Sequence, residues 1–330
     1  VKYYVRRITF YLITLWAAVS LNFLIPRLLP GDPVGIMLAK LARNGEVTPA
    51  TVRSIELLLG SSSDATLWEQ YVSYWGRILQ GDLGVSITKY PTPVVELIMQ
   101  ALPWTVVLVG LATTVSFVLG IGLGAWIGWK RGTWVDHIIP FTTVLQSVPY
   151  FWLALLLVFA FSVTLGAFPI IGGYDVFTFA GPEVSWEFLG SAVYHGILPA
   201  VTIVLSSVGG WLLGMRNMTV STLAEDYITT AEAKGLRPLR IFTTYATRNA
   251  ALPSIAGFGI SLGFVVAGSI VMEQVFSYPG VGKLLIQSVQ NNDYALIQGV
   301  FLFITIAVLA ANFLMDIVYG FIDPRTRHHA

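Results

Sequence analysis

Few residue sets in this 330-residue chain have the types and spacing that bond-making chemistry needs. Gly259-Ile260-Ser261-Leu262-Gly263 has the spacing of a nucleophile elbow, a strand-to-helix turn that holds a serine hydroxyl out to attack an acyl carbon. Here the serine falls inside an apolar run of helical character. The four histidines, His137, His195, His328 and His329, fall near or outside the apolar stretches, so none is placed to take the Ser261 proton. Gly280-Val281-Gly282-Lys283-Leu284 suggests a phosphate loop but lacks its spacing and its terminal Ser or Thr. No H-E-x-x-H pair occurs, and the last two histidines read as a solvated tail rather than a metal site. Cysteine is absent, which removes thiolate nucleophiles, disulfides and Cys-based metal sites. The residues therefore predict a chain that is not an enzyme and binds no cofactor or metal of its own.

The elements around these residues explain why. Hydrophobic residues make up 55% of the chain and charged residues 11%, with a mean hydropathy of +0.72. Soluble domains carry about 25% charged residues. So few charges cannot cover a water-facing surface of this size, and the solvent implied is a lipid bilayer. A formal net charge of +1 offers no basic field for nucleic acid.

A bilayer core about 30 Å thick needs about 20 apolar residues per helix. Six stretches qualify: Ile8 to Leu29, Trp104 to Trp129, Ile138 to Leu165, Gly196 to Met215, Ser254 to Met272 and Ala295 to Met315. The first is too long for the apolar part of a signal peptide and reads as a retained helix. Pro140, Gln146 and Pro149 predict a kink in the third. Gly120, Gly124 and Gly128 form a small-residue stripe suited to close helix packing, and Gly257, Gly259, Gly263 and Gly268 offer another. Trp104, Trp126, Trp129, Trp134 and Trp152 read as an interfacial belt. Asp316, with Asn312 and Tyr319 a turn away on either side, and Glu273 stand at span ends, where a structural partner is the expectation.

Six spans put both termini on one side. A cytoplasmic N-terminus places 12 of the 19 basic residues in inner segments, while the short outer loops 166–195 and 276–294 hold only Lys283. The chain then divides into residues 1–30 with the first span, an extracytoplasmic segment 31–101, and a transmembrane core 102–330. Turn residues Pro30-Gly31-Asp32-Pro33 open the extracytoplasmic segment, and Val52 to Leu59 and Leu67 to Leu79 read as short amphipathic helices.

The longest inner segment, 217–251, reads as two short helices. The first covers Leu223 to Lys234, with Leu223, Tyr227 and Ala231 as a modest apolar stripe. Glu225, Asp226 and Glu232 load the helix with acid, while Lys234 sits near its C-terminus, where the helix dipole favours it. Gly235 is placed to end the helix in the left-handed conformation. Pro238 suits the first turn of the second helix, on which Leu239, Phe242 and Tyr245 recur every three residues. A surface helix with an apolar stripe and flanking charges suits a docking knob for a partner. A helix lying on the membrane surface is the plainer alternative.

These residues carry a resemblance. The run Asp226-Tyr227-Ile228-Thr229-Thr230-Ala231-Glu232-Ala233-Lys234-Gly235-Leu236, followed by Arg248-Asn249-Ala250-Ala251-Leu252-Pro253, resembles the cytoplasmic loop of ABC importer permeases. It is most similar to the first of the two permease subunits in the dipeptide/oligopeptide branch. Further short matches follow in order along the chain: Arg6-Arg7, Leu28-Leu29-Pro30-Gly31-Asp32-Pro33, Gly81-Asp82-Leu83-Gly84, Lys130-Arg131-Gly132, Glu273 through Gly282, Asn292-Asp293-Tyr294 and Asp323-Pro324-Arg325. Thr229-Thr230-Ala231 stands where the general importer motif has Glu-Ala-Ala, and Leu252-Pro253 lies further from the glycine. The peptide branch shares both departures.

The resemblance implies an all-α, type I importer permease in a prokaryotic inner or plasma membrane, both termini cytoplasmic. It implies a second, homologous permease subunit, two cytoplasmic ATPase subunits and an extracytoplasmic substrate-binding protein as partners, with ATP and Mg on the ATPases. Asp226, Tyr227, Thr229, Ala231, Glu232, Ala233, Lys234 and Gly235 are then the coupling residues. The same branch includes importers of oligosaccharides and nickel, and an ATP-independent secondary transporter is the more distant alternative. Spans almost free of charge disfavour the latter.

Overall fold

The computed structural model describes residues 2–28, 35, 38, 66–265 and 270–322. Every regular element of more than one residue pair among them is a helix. Helix α1 is Lys2–Leu28, α2 Leu67–Leu79, α3 Val94–Trp129, α4 Ile138–Ser147 and α5 Tyr150–Leu157, the last running on through a π-helical turn, Val158–Thr164. Helix α6 is Trp186–Leu223 and α7 Asp226–Ala233. Helix α8 covers 238–250 with a π-helical middle, Ile241–Thr247. Helices α9 to α12 are Leu252–Phe264, Ile270–Val275, Val281–Gln290 and Tyr294–Ile322.

Among the described residues, four stretches are long and apolar enough to cross a membrane: Arg6–Leu24, Val94–Trp129, Trp186–Leu223 and Tyr294–Leu314. They contain or closely match the first, second, fourth and sixth expected spans. Helices α3 and α6 overshoot those expectations because a hydropathy window sees only the lipid-compatible part. At about 1.5 Å per residue, their 36 and 38 residues exceed the bilayer core. Pro103 and Pro199 lie inside α3 and α6 without ending them.

The third expected span is a broken pair, α4 and α5, bent by 100°. Val148, at the break, is extended (φ −75°, ψ 127°). Pro149 dictates this, since its ring excludes the helical region for the preceding residue. Of the fifth expected span, α9 and α10 are described, while 266–269 lie outside the described residues. So do the turn at 30–33, the 52–59 helix and the 323–325 match. The side chains of Asp316 and Tyr319 are likewise outside the description. The short apolar helix at Leu67–Leu79 is present, started by a capping box in which Thr66 and Glu69 satisfy each other's backbone N–H.

The chain forms two compact units, one of Val1–Trp104 with Gly280–Ala330 and one of Thr105–Pro279. These units divide after Trp104 and after Pro279, so the last helix belongs with the N-terminal part.

In the Thr105–Pro279 unit, α3 lies against α6 along the predicted glycine stripe. A Cβ on Gly124 would come within 2.9 Å of the Met215 Cβ and closer still to the Leu212 carbonyl oxygen. A Cβ on Gly128 would stand 2.8 Å from that of Thr219. Only glycine permits this approach. Helix α4 seats on α6 in the same way, the Thr142 carbonyl oxygen lying 2.9 Å from where a Gly209 Cβ would be. A Cβ on Gly257 of α9 would stand an ordinary 3.5 Å from the Trp211 ring, so no tight contact exists there. Two hydroxyls between helices of this unit find partners, as membrane burial requires: Ser207 donates to Ser116 (2.8 Å) and Thr105 to the Glu273 carboxylate (2.7 Å). Glu273 is fully buried.

In the other unit, α1 and α12 pack together. Asn22 crosslinks them, its amide donating to the Gln298 carbonyl (2.8 Å). The loop after α2 is pinned to the start of α12 by Asp293, which is fully buried. One carboxylate oxygen accepts from Ser86 Oγ (2.5 Å) and the Thr88 N–H (2.9 Å), and the other caps α12 at the Leu296 N–H (3.2 Å). Asp293 of the 292–294 match thus ties α12 to the 86–88 loop that follows the 81–84 match.

Candidate functional site

The 224–251 segment is built from its break outward. Helix α6 continues to Leu223, so the loop begins at Ala224 rather than at Asn217. Ala224 and Glu225 close α6 by donating to the carbonyls of Ser221 (3.1 Å) and Thr222 (3.2 Å). Glu225 is extended (φ −78°, ψ 146°) and starts α7. Helix α7 therefore begins three residues later than predicted, because Leu223 belongs to α6. Glu225 and Asp226 sit at its positive end, where carboxylates are favoured by about 0.3–1 kcal/mol.

The C-terminus of α7 agrees with the prediction in detail. Gly235 has φ +70°. Its N–H donates to the Glu232 carbonyl (2.8 Å), and the Leu236 N–H reaches back to Ala231 (3.3 Å). This pair of bonds is the Schellman arrangement, and its apolar contact is present too: Leu236 packs into the cluster around Ala231.

The phase of the apolar stripe differs from the prediction. Ile228 (2% exposed) and Ala231 are the buried residues of α7, whereas Tyr227 is exposed. Ile228 and Ala231 pack with Ile241 and Ala246 of α8, and against them lie Trp129, Leu223, Leu236 and Tyr245. Leu239 does not join them and stands 71% exposed. The π-helical turn at Ile241–Thr247 explains this, since its wider winding brings residues five apart, Ile241 and Ala246, onto one side. Of the expected three-residue repeat, Phe242 and Tyr245 pack inward and Leu239 alone falls outside. Burying Ile228 contributes about 1.5–3 kcal/mol to holding α7 in place.

The coupling candidates thus divide. Ala231 is a buried anchor. Asp226, Tyr227, Thr229, Glu232, Ala233, Lys234 and Gly235 are exposed. The Tyr227 hydroxyl accepts a hydrogen bond from the Asn249 amide (3.1 Å), which also donates to the Tyr245 carbonyl (3.0 Å). Asn249 ties α7 to α8, a role invisible in the local pattern because the two residues are 22 apart. Ile228 is the other residue missed, hidden by the break at Ala224. Trp129 is not a belt residue: it closes the cluster and meets Phe242 at 5.3 Å between ring centroids.

The arrangement is a mechanical block. One apolar cluster joins α7 to α8 and to the ends of α3 (Trp129) and α6 (Leu223), while one polar side of α7 stays open. Ser261 donates to the Phe258 carbonyl (2.8 Å) within α9, so no nucleophile elbow exists. Gly280 precedes helix α11. Among the described residues no group of His, Asp and Glu is arranged to hold a metal ion.

Several helices long and apolar enough to cross a bilayer define a multi-pass membrane protein. The chain belongs to the family of binding-protein-dependent transport system inner membrane components, whose model matches residues 120–328. It is 32% identical to the di/tripeptide transport system permease protein DppB of Pseudomonas aeruginosa, with 98% of each chain covered. It is also 32% identical to the oligopeptide transport system permease protein AppB of Bacillus subtilis and 31% identical to the dipeptide transport system permease protein DppB of Escherichia coli K12, each over 99% of both chains. The chain is thus a permease subunit of the inner membrane, and the all-α class expected from its sequence agrees with its helices.

Proposed function

We propose that this permease subunit serves an ATP-driven importer of di- and oligopeptides, as one of two similar permease chains lining the path. Full-length similarity to permeases named for peptide transport supports the substrate class. The observation that carries the mechanism is the joint of α7 to α3, α6 and α8. A partner that grips the exposed residues Asp226, Tyr227, Thr229, Glu232, Ala233, Lys234 and Gly235 moves two spans at once. Two cytoplasmic ATPase subunits, binding ATP and Mg, are that partner in this reading, each taking one coupling helix of the permease pair. Nucleotide then biases a bistable helix bundle between inward- and outward-facing states. A binding protein delivers substrate to the opposite face. The basic residues beside α7 (Arg216, Arg237, Arg240 and Arg248) support a cytoplasmic placement of this end and of both termini.

The test is uptake by the complete complex in proteoliposomes, with its co-encoded ATPases, second permease and binding protein. Labelled di- to pentapeptides accumulate only with ATP and binding protein. Uptake of oligosaccharide or nickel but no peptide would refute the substrate class. Uptake by this chain alone without ATP would refute the mechanism.

A further inference from the structure

Helix α2 lies outside the machinery above, yet it has apolar side chains in two directions. Tyr71, Tyr74, Trp75 and Ile78 pack on Val19 and Phe23 of α1 and Leu302 of α12. Trp68 (70% exposed), Val72 and Leu79 (81% exposed) do not. At about 100° per residue, these three fall on one stripe beside the packed one. Glu69, Gln70, Ser73 and Arg77 take the remaining arc. A Cβ on Gly76, in the middle of the helix, would meet nothing within 4 Å.

The depth of α2 is fixed by its polar contacts. The Tyr71 hydroxyl bonds Ser20 Oγ (2.6 Å), and the Asn22 amide donates to the Tyr74 hydroxyl (3.1 Å). Asn22 in turn meets Gln298. Asn22 lies five residues before Arg27, the first charged residue after the apolar run of α1, and Gln298 lies four residues inside the start of Tyr294–Leu314, five after Asp293. At about 1.5 Å per residue, both helices therefore hold α2 about one to two turns inside the nearest charged residue of the span end. At the same level α1 exposes Leu21 and Leu24, so the stripe continues a surface that already faces lipid.

We propose that α2 is an in-plane interfacial helix whose Trp68–Val72–Leu79 stripe is seated in the lipid at the headgroup–acyl boundary, while Ser73 and Gln70 face water. Its half-apolar, half-polar arc with a Trp fits that environment. The occupant is lipid rather than protein because the depth places an uncharged stripe where lipid is the solvent. The proposal rests on α1 and α12 crossing the membrane, not on the substrate or coupling reading.

The chain has no cysteine, so single-site labelling is direct. Val72→Cys, Leu79→Cys, Ser73→Cys and the span control Leu21→Cys would each carry a nitroxide. The full chain would be studied in its assembled complex, with partner cysteines replaced, in nanodiscs of phosphatidylethanolamine and phosphatidylglycerol. Relaxation by oxygen and by a water-soluble nickel chelate is measured. Labels at Val72 and Leu79 should favour oxygen over the chelate several-fold, as at Leu21, and the label at Ser73 should show the reverse. Equal chelate access at Val72 and Ser73 overturns the proposal in favour of water. Exclusion of both reagents at Val72 and Leu79 overturns it in favour of a protein cover. Chelate access at Leu21 would instead refute the span assignment itself.

Discussion

Gly235 concentrates the residue-scale argument. Its φ of +70° lets two backbone N–H groups turn back onto α7. A β-branched side chain there costs about 1–2 kcal/mol or more from the Cβ–carbonyl clash. No neighbour lies within 4 Å of a Gly235 Cβ, so the penalty is local to the turn. Gly235→Val should leave membrane insertion and assembly intact, while ATP hydrolysis continues with much reduced uptake. Gly235→Asn, which tolerates the left-handed region, should retain most transport. Equal transport in wild type and Gly235→Val would remove this glycine from the coupling account. Tyr278 offers a second test. Burial first, and the Glu273 charge second, push its phenol up to about 12, from an ordinary value near 10. The fold therefore favours the neutral phenol. That stabilisation is whole below pH 10 and is lost as pH rises towards 12. Melting curves of the purified chain across this range should show a steeper loss for wild type than for Tyr278→Phe. Parallel curves would mean that Tyr278 titrates as an ordinary phenol.

Helices α3 and α6 show how far the element scale was readable. Gly120, Gly124 and Gly128 announce a close approach by their spacing alone, and the approach exists. Gly124→Val would place a methyl-bearing carbon against the Leu212 carbonyl, where neither backbone can yield. Overpacking of this kind costs about 1–3 kcal/mol, so this variant should lower the melting temperature or block assembly. Gly122→Val, whose Cβ would meet nothing within 4 Å, should be silent. A Gly124 variant as stable as wild type would show that the helices are not held this close. The Pro149 break was also legible, since proline restricts its neighbour whatever the tertiary context. The phase of α7 and α8 was not. It depends on where α6 stops and on a π-helical turn, and neither leaves a mark in hydrophobic periodicity. The Asp293–Ser86 joint was equally hidden, because its partners are 207 residues apart and only the fold brings them together.

For the whole molecule, composition settled the solvent and the resemblance of several ordered motifs settled the family. What the structure adds is the wiring: a single apolar cluster under α7 connects the proposed docking surface to two spans and the return helix. The central claim is that a nucleotide-driven partner pushes on the open side of α7. Thr229, exposed and mid-helix, gives the most direct measurement. Thr229→Cys in the assembled complex is crosslinked to its ATPase with and without trapped nucleotide. The account predicts efficient crosslinking to the ATPase, with a yield that changes between nucleotide states. A Thr229→Cys that never crosslinks and reacts freely with a bulky water-soluble maleimide in the intact complex would contradict it.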